Sequence, residues 1–267
     1  MAKGVSETWD KLADFERRRL HFRDWTRDVL IAGDGPAVIV IHEIPGITPE
    51  VARFARWVRD AGFRVYLPSL LGSPGKPNGP GYVLQSSLRA CIAREFAVLA
   101  ADKTSPIVDW LKDLAAVAHA ESGGPGVGAI GMCLTGNFAL AMMVEKATLA
   151  PVMCQPSLPI THPGGLGLAP EDATAIRERL QREDLTVRGY RFEGDRLCRE
   201  ARFRTLKQHF GDRFEGEALP DSAAKPDTFN PNPHSVVTTH LIDEQGSLTR
   251  QKVDEIIAFF ARRLRPT

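Results

Sequence analysis

Six residues near the middle of the chain, Gly131-Met132-Cys133-Leu134-Thr135-Gly136, have the types and spacing of a nucleophile elbow. They follow a short apolar run, Val127-Gly128-Ala129-Ile130, and precede an apolar stretch, Asn137 to Val144, that reads as a helix. A strand, a sharp turn between small residues and a helix directly behind it force the central side chain into a strained conformation above a sheet. The common pattern is G-x-S-x-G, and here a cysteine takes the place of the serine. A thiol, with a pKa of ~8.5, reaches its nucleophilic form far more easily than a hydroxyl. The plainer alternative is a buried structural cysteine, since free cysteine is among the most buried residue types. The motif alone divides evenly between the two.

A thiol nucleophile needs a base, and the base needs an orienting acid. On an elbow-bearing α/β sheet the chain order is nucleophile, acid, histidine. Asp195 follows the strand-like segment Val187 to Phe192, at the carboxyl end where ligand sites gather in open α/β sheets. Taken singly, an aspartate after glycine is a turn residue. Farther on, His234 precedes Ser235-Val236-Val237 in a loop and is the preferred base. His240 leads into Leu241-Ile242 and reads as a surface or hydrogen-bonded core histidine. Glu43 ends the apolar run Val38 to Ile41, in the loop that supplies the second oxyanion donor of such a sheet. The expected donors are the backbone N–H groups of Leu134 and Ile44, each of which contributes about 3 kcal/mol to such a transition state. The alternative for His42-Glu43 is an ion-paired loop. Zinc chemistry is excluded, because neither His-Glu-x-x-His nor a matching cysteine spacing occurs.

The elements that must position these residues alternate along the chain. Ala37 to Ile41 reads as a buried parallel strand. Thr48 caps a helix with Pro49 at its first position and Val51, Phe54, Trp57, Val58 and Ala61 on one face. Phe63 to Leu67 reads as a strand, Ser73 to Gly81 as a proline- and glycine-rich loop, and Ser87 to Ala100 as a helix. A further helix opens at Ser105-Pro106, and Ala150 to Cys154 reads as another buried strand. Helices follow at Pro170 to Arg182, Arg199 to Phe210 and Leu248 to Leu264, with a short strand at Phe214 to Leu219. This alternation predicts an α/β fold with a mostly parallel sheet covered by helices on both faces.

At 267 residues the chain suits one α/β domain, with a charged N-terminal extension over about residues 1–25. Lysine plus arginine (34) nearly balances aspartate plus glutamate (33), so no field invites nucleic acid or an anionic membrane. No apolar run reaches membrane-spanning length, and the charged N-terminus has no apolar signal region. The four cysteines (Cys91, Cys133, Cys154, Cys198) form no disulfide framework. A cytoplasmic setting is expected, with neither metal nor cofactor.

His42-Glu43-Ile44-Pro45-Gly46-Ile47, the cysteine elbow, Asp195 and His234-Ser235 together resemble the dienelactone hydrolase family of α/β-hydrolases, from about Ala37 to the C-terminal helix. The resemblance implies an α/β-hydrolase fold and a Cys-His-Asp triad that opens small lactones or activated esters through an acyl-enzyme. It implies Cys133 as nucleophile, His234 as base and then acid, Asp195 as its orienter, and Glu43 as a carboxylate that swings to form the thiolate on demand. Family members bind a substrate carboxylate through arginines, one of them a helical turn past the histidine; Ser235 to Thr239 contains none. Arg94, or Arg89 on the same helix, is the candidate replacement, against the reading of a solvated helix face. Two alternatives use the same residues or fold: acyl transfer to an alcohol or amine, and a non-catalytic scaffold that binds a ligand or partner.

Overall fold

The computed structural model describes residues 8–92, 96, 103–159 and 162–265. Its strands are β1 (Glu16–Phe22), β2 (Trp25–Ala32), β3 (Ala37–Ile41), β4 (Arg64–Pro68), β5 (Val127–Met132), β6 (Thr148–Cys154), β7 (Val187–Phe192) and β8 (Phe214–Leu219). They form one sheet in the order β1-β2-β4-β3-β5-β6-β7-β8. β2 runs antiparallel to both its neighbours, and every other pair is parallel.

The helices are α1 (Pro49–Asp60), α2 (Pro80–Ile92), α3 (Ile107–Ser122), α4 (Gly136–Ala141), α5 (Pro170–Arg182), α6 (Glu200–Phe210) and α7 (Leu248–Leu264). Alternation along the strands divides the core in two. Val38, Val40, Ile130 and Met132 pack with Val51, Phe54 and Val58 of α1 and Val253, Ile256 and Phe260 of α7. Ile39, Ile41 and Ala129 pack on the other face with Trp110 and Leu114 of α3, Ile176 and Leu180 of α5 and Leu206 of α6. Covering both faces is what allows these strands to be continuous apolar runs rather than alternating ones.

Two expectations are corrected. The charged stretch before residue 25 is not merely an extension, because Glu16–Phe22 is the edge strand β1. Its charge protects an edge: Arg17 and Arg19 face solvent while Leu20 and Phe22 turn toward the core. The helix expected to begin at Ser87 begins at Pro80, with Tyr82, Ser86 and Ala90 along its buried face. Gly81 reads as loop in sequence but is tolerated in the first turn.

Candidate active site

β5 ends at Met132, a single 3-10 turn holds Cys133–Thr135, and α4 follows immediately. Cys133 has φ +55°, a left-handed backbone that costs a non-glycine residue about 1–2 kcal/mol. The small neighbours are a steric requirement. A Cβ on Gly131 would lie 2.1 Å from the Thr135 carbonyl oxygen, and one on Gly136 would lie 2.7 Å from Pro156 Cα. The turn is also fastened to β3. The Thr135 hydroxyl accepts the Met132 N–H at 3.0 Å, and its own proton meets the carbonyls of Ile41 and His42 at 3.0 and 3.1 Å. Thr135 escapes sequence reasoning, because both of those carbonyls belong to residues more than ninety positions earlier.

The loops after β7 and before α7 bring Asp195 and His234 together, with Asp195 Oδ2 2.7 Å from His234 Nδ1. The other carboxylate oxygen, Oδ1, accepts the N–H groups of Leu197 and Cys198, both at 2.9 Å. Asp195 is thus a turn residue and the partner of a histidine at once. Burial works against its charge, but the hydrogen bond from His234 and the backbone donors hold its pKa below the usual carboxylate value. Burial likewise opposes a charged His234, yet the Cys133 sulfur and the Asp195 carboxylate outweigh it and hold the imidazole pKa well above 6.5. Its Nε2 is buried without a partner of good hydrogen-bond geometry.

His240 occupies a different position in the same region. Its Nδ1 accepts the backbone N–H groups of His234 (3.3 Å) and Ser235 (3.1 Å). That fixes the proton on Nε2, which donates to the Asn230 carbonyl at 3.0 Å. Burial keeps this ring neutral, and its geometry braces the loop that carries His234.

Glu43 is buried, and its carboxylate is met by three neutral donors. Ser235 Oγ donates to Oε2 at 2.7 Å, Gln155 Nε2 to the same oxygen at 3.2 Å, and the Thr238 hydroxyl to Oε1. Burial raises its pKa, and the two hydroxyls and the His234 charge offset only part of that rise. Gln155 was not singled out in sequence, since nothing local marks it. Its Oε1 accepts the Val236 N–H at 3.3 Å, so it joins Glu43 to the histidine loop.

His42 is not an ion-pair partner of Glu43. Its Nε2 accepts the N–H groups of Leu70 (3.0 Å) and Leu71 (3.3 Å), so Nδ1 carries the proton and donates to the Glu43 carbonyl at 2.8 Å. Protonating Nε2 would set a proton against those two N–H groups, and burial pushes this pKa down from 6.5 to about 4. A base whose folded pKa lies below its unfolded value stabilises the fold fully above pH 6.5 and loses that contribution as pH falls toward 4. The loss amounts to about 3 kcal/mol. Urea unfolding of wild type and His42→Gln, compared at pH 7 and pH 4, is expected to show the wild type losing that much relative to the variant; an unchanged difference would refute it.

Cys133, Leu134, Glu43, Ile44 and His234 all line one cavity of about 240 Å³. Of the remaining cysteines, Cys91 is exposed and lines the same cavity, while Cys154 and Cys198 are buried. Burial drives both of those thiols well above their ordinary pKa. Arg89 lies on the exposed side of α2 and is not part of the cavity wall. Arg94 lies outside the described residues. Among the described residues no cluster of three or more metal-ligating side chains occurs, and no helix is long and apolar enough to cross a membrane.

This strand order, with a strained residue in a tight turn between the central strand β5 and a helix, defines the α/β-hydrolase fold. Residues 29–161 match the model of the dienelactone hydrolase family, and the chain belongs to that family of ester and lactone hydrolases. Solved structures agree on the fold. A dienelactone hydrolase from Anabaena variabilis is 13% identical, with a TM-score of 0.60 over 94% of this chain and 100% of that one. A dienelactone hydrolase-like promiscuous phosphotriesterase from metagenomic libraries is 14% identical, with a TM-score of 0.59 over 95% and 100%. An esterase from an Arctic intertidal metagenomic library is 14% identical, with a TM-score of 0.55 over 97% and 100%. No curated protein matches the chain in sequence.

Proposed function

We propose that this chain hydrolyses a small lactone or activated ester through a thioester on Cys133. The observation that carries this reading is that the strained Cys133 shares a cavity with His234, whose Nδ1 lies 2.7 Å from Asp195. In the first half-reaction the sulfur attacks the ester carbonyl carbon and its proton passes to His234 Nε2. The developing oxyanion is received by the backbone N–H groups of Leu134 and Ile44. The alkoxide leaves with the proton from Nε2. In the second half-reaction the neutral imidazole takes a proton from water, hydroxide attacks the thioester carbonyl, and the acid departs as the thiol is restored. Asp195 fixes the ring so that Nε2 is the atom that exchanges protons. Glu43, buried and hydrogen-bonded by an amide and two hydroxyls, is suited to the family's role of promoting thiolate formation when substrate arrives.

The test is capture of the intermediate. Rapid mixing with p-nitrophenyl acetate is expected to release a stoichiometric burst of nitrophenolate. Peptide mapping after acid quenching is expected to place the acetyl group on Cys133. Turnover with no acyl group on Cys133, or with one on a different residue, would overturn the reading.

A further inference from the structure

The cavity that holds Cys133 is lopsided in its chemistry. Its apolar wall is built by Val83, Ala90, Leu134, Leu158, Leu197 and Phe229. Among the described residues that line it, none is lysine or arginine, and the one carboxylate is Glu43. That carboxylate is held by an amide and two hydroxyls, and the one imidazole in the wall whose pKa is raised, His234, is already matched by Asp195 at 2.7 Å, which leaves no unmatched positive charge among these residues for an anionic ligand. An anionic group placed beside it would either meet a like charge or force Glu43 to take up a proton, and both disfavour binding.

The apolar surface also continues out of the cavity. Leu197 and Phe229 line it yet remain 53% and 37% exposed. On α2 the cavity-lining Val83 and Ser87 are each followed by a leucine, Leu84 and Leu88, that is 63% and 60% exposed. Four residues apart on one helix, these leucines form a stripe next to the lining face. One exposed leucine means little, but two on one helix beside an apolar cavity wall extend apolar surface of the kind that marks a ligand-binding groove.

We propose that this site, on the hydrolase reading above, takes an uncharged ester with an apolar chain and discriminates against one bearing a carboxylate. The ester carbonyl sits at Cys133, and the chain runs past Leu197 and Phe229 toward the leucines of α2. The cavity takes the ester group and the carbons next to it, and a longer chain extends over the stripe.

Two matched pairs of compounds test it. In the first, kcat/KM of the wild type is measured for p-nitrophenyl hexanoate and for the mono-p-nitrophenyl ester of adipic acid, which differ by a terminal carboxylate. In the second, 2-octanone and 7-oxooctanoate are titrated calorimetrically into Cys133→Ala, where no chemistry intervenes. The neutral member is expected to win at least tenfold in each pair, and Leu197→Lys is expected to narrow the ester gap several-fold. An adipate ester cleaved as fast as the hexanoate, or an oxooctanoate bound as tightly as the ketone, overturns the proposal whatever the absolute rates. If neither ester turns over but the ketones keep their order, the hydrolase reading fails and the assignment of ligand class stands.

Discussion

Cys133→Ala is expected to lower kcat for ester hydrolysis by about six orders of magnitude, the loss seen when a covalent nucleophile is removed from a comparable triad. The residual rate would come from the oxyanion donors and from binding. The substitution removes one half-buried sulfur and keeps the Cβ, so the fold should lose little. Cys133→Gly carries the argument further. It is expected to be equally inactive and yet more stable than wild type by about 1 kcal/mol, because φ +55° costs glycine nothing. Parallel urea titrations and initial rates decide both points. A glycine variant less stable than wild type would mean that the elbow stores no strain.

Asp195→Asn is expected to lower kcat by about four orders of magnitude with little loss of stability. Asparagine keeps a carbonyl oxygen for the N–H groups of Leu197 and Cys198, so the turn survives. Its amide then donates to His234 Nδ1 where the carboxylate accepted, which moves the ring proton to Nε2 and blocks uptake of the thiol proton. With the carboxylate gone, the imidazole pKa falls from its raised position. The acid limb of the kcat/KM profile, which reports loss of the ring proton, should therefore move toward lower pH. A variant that keeps more than a tenth of the wild-type rate would remove Asp195 from the mechanism.

What the sequence discloses follows from how local each signal is. β3, β5 and β6 are buried on both faces and read as plain apolar runs, β7 reads by its alternation, and α5 and α7 open at a proline and at a capping serine. The elbow is legible because its steric demand falls on Gly131 and Gly136, adjacent in sequence to the residue they serve. β1 is not. Glu16-Arg17-Arg18-Arg19 looks like a solvated run until Arg18 finds Glu121, more than a hundred residues away, in a two-pronged ion pair at 2.8 Å. The same distance hides Gln155 and Thr238, whose part in the site exists only once two other loops converge on Glu43. His234 and His240 are separable in sequence only by their neighbours, whereas in space one meets a carboxylate and the other backbone donors.

The hydroxyl of Thr135 gives the two halves of the reacting centre a common origin. It bonds the turn that carries the sulfur to the carbonyls of Ile41, which ends β3, and His42, the two residues directly before Glu43. The distance from the Cys133 sulfur to the Ile44 amide is therefore set along one short path through a side chain, not by two loops that fluctuate independently. On the proposed mechanism, a buried side chain outside the cavity wall thus holds the tolerance to which attack and charge stabilisation are matched. The surrounding loops remain free to vary with whatever chain they must admit.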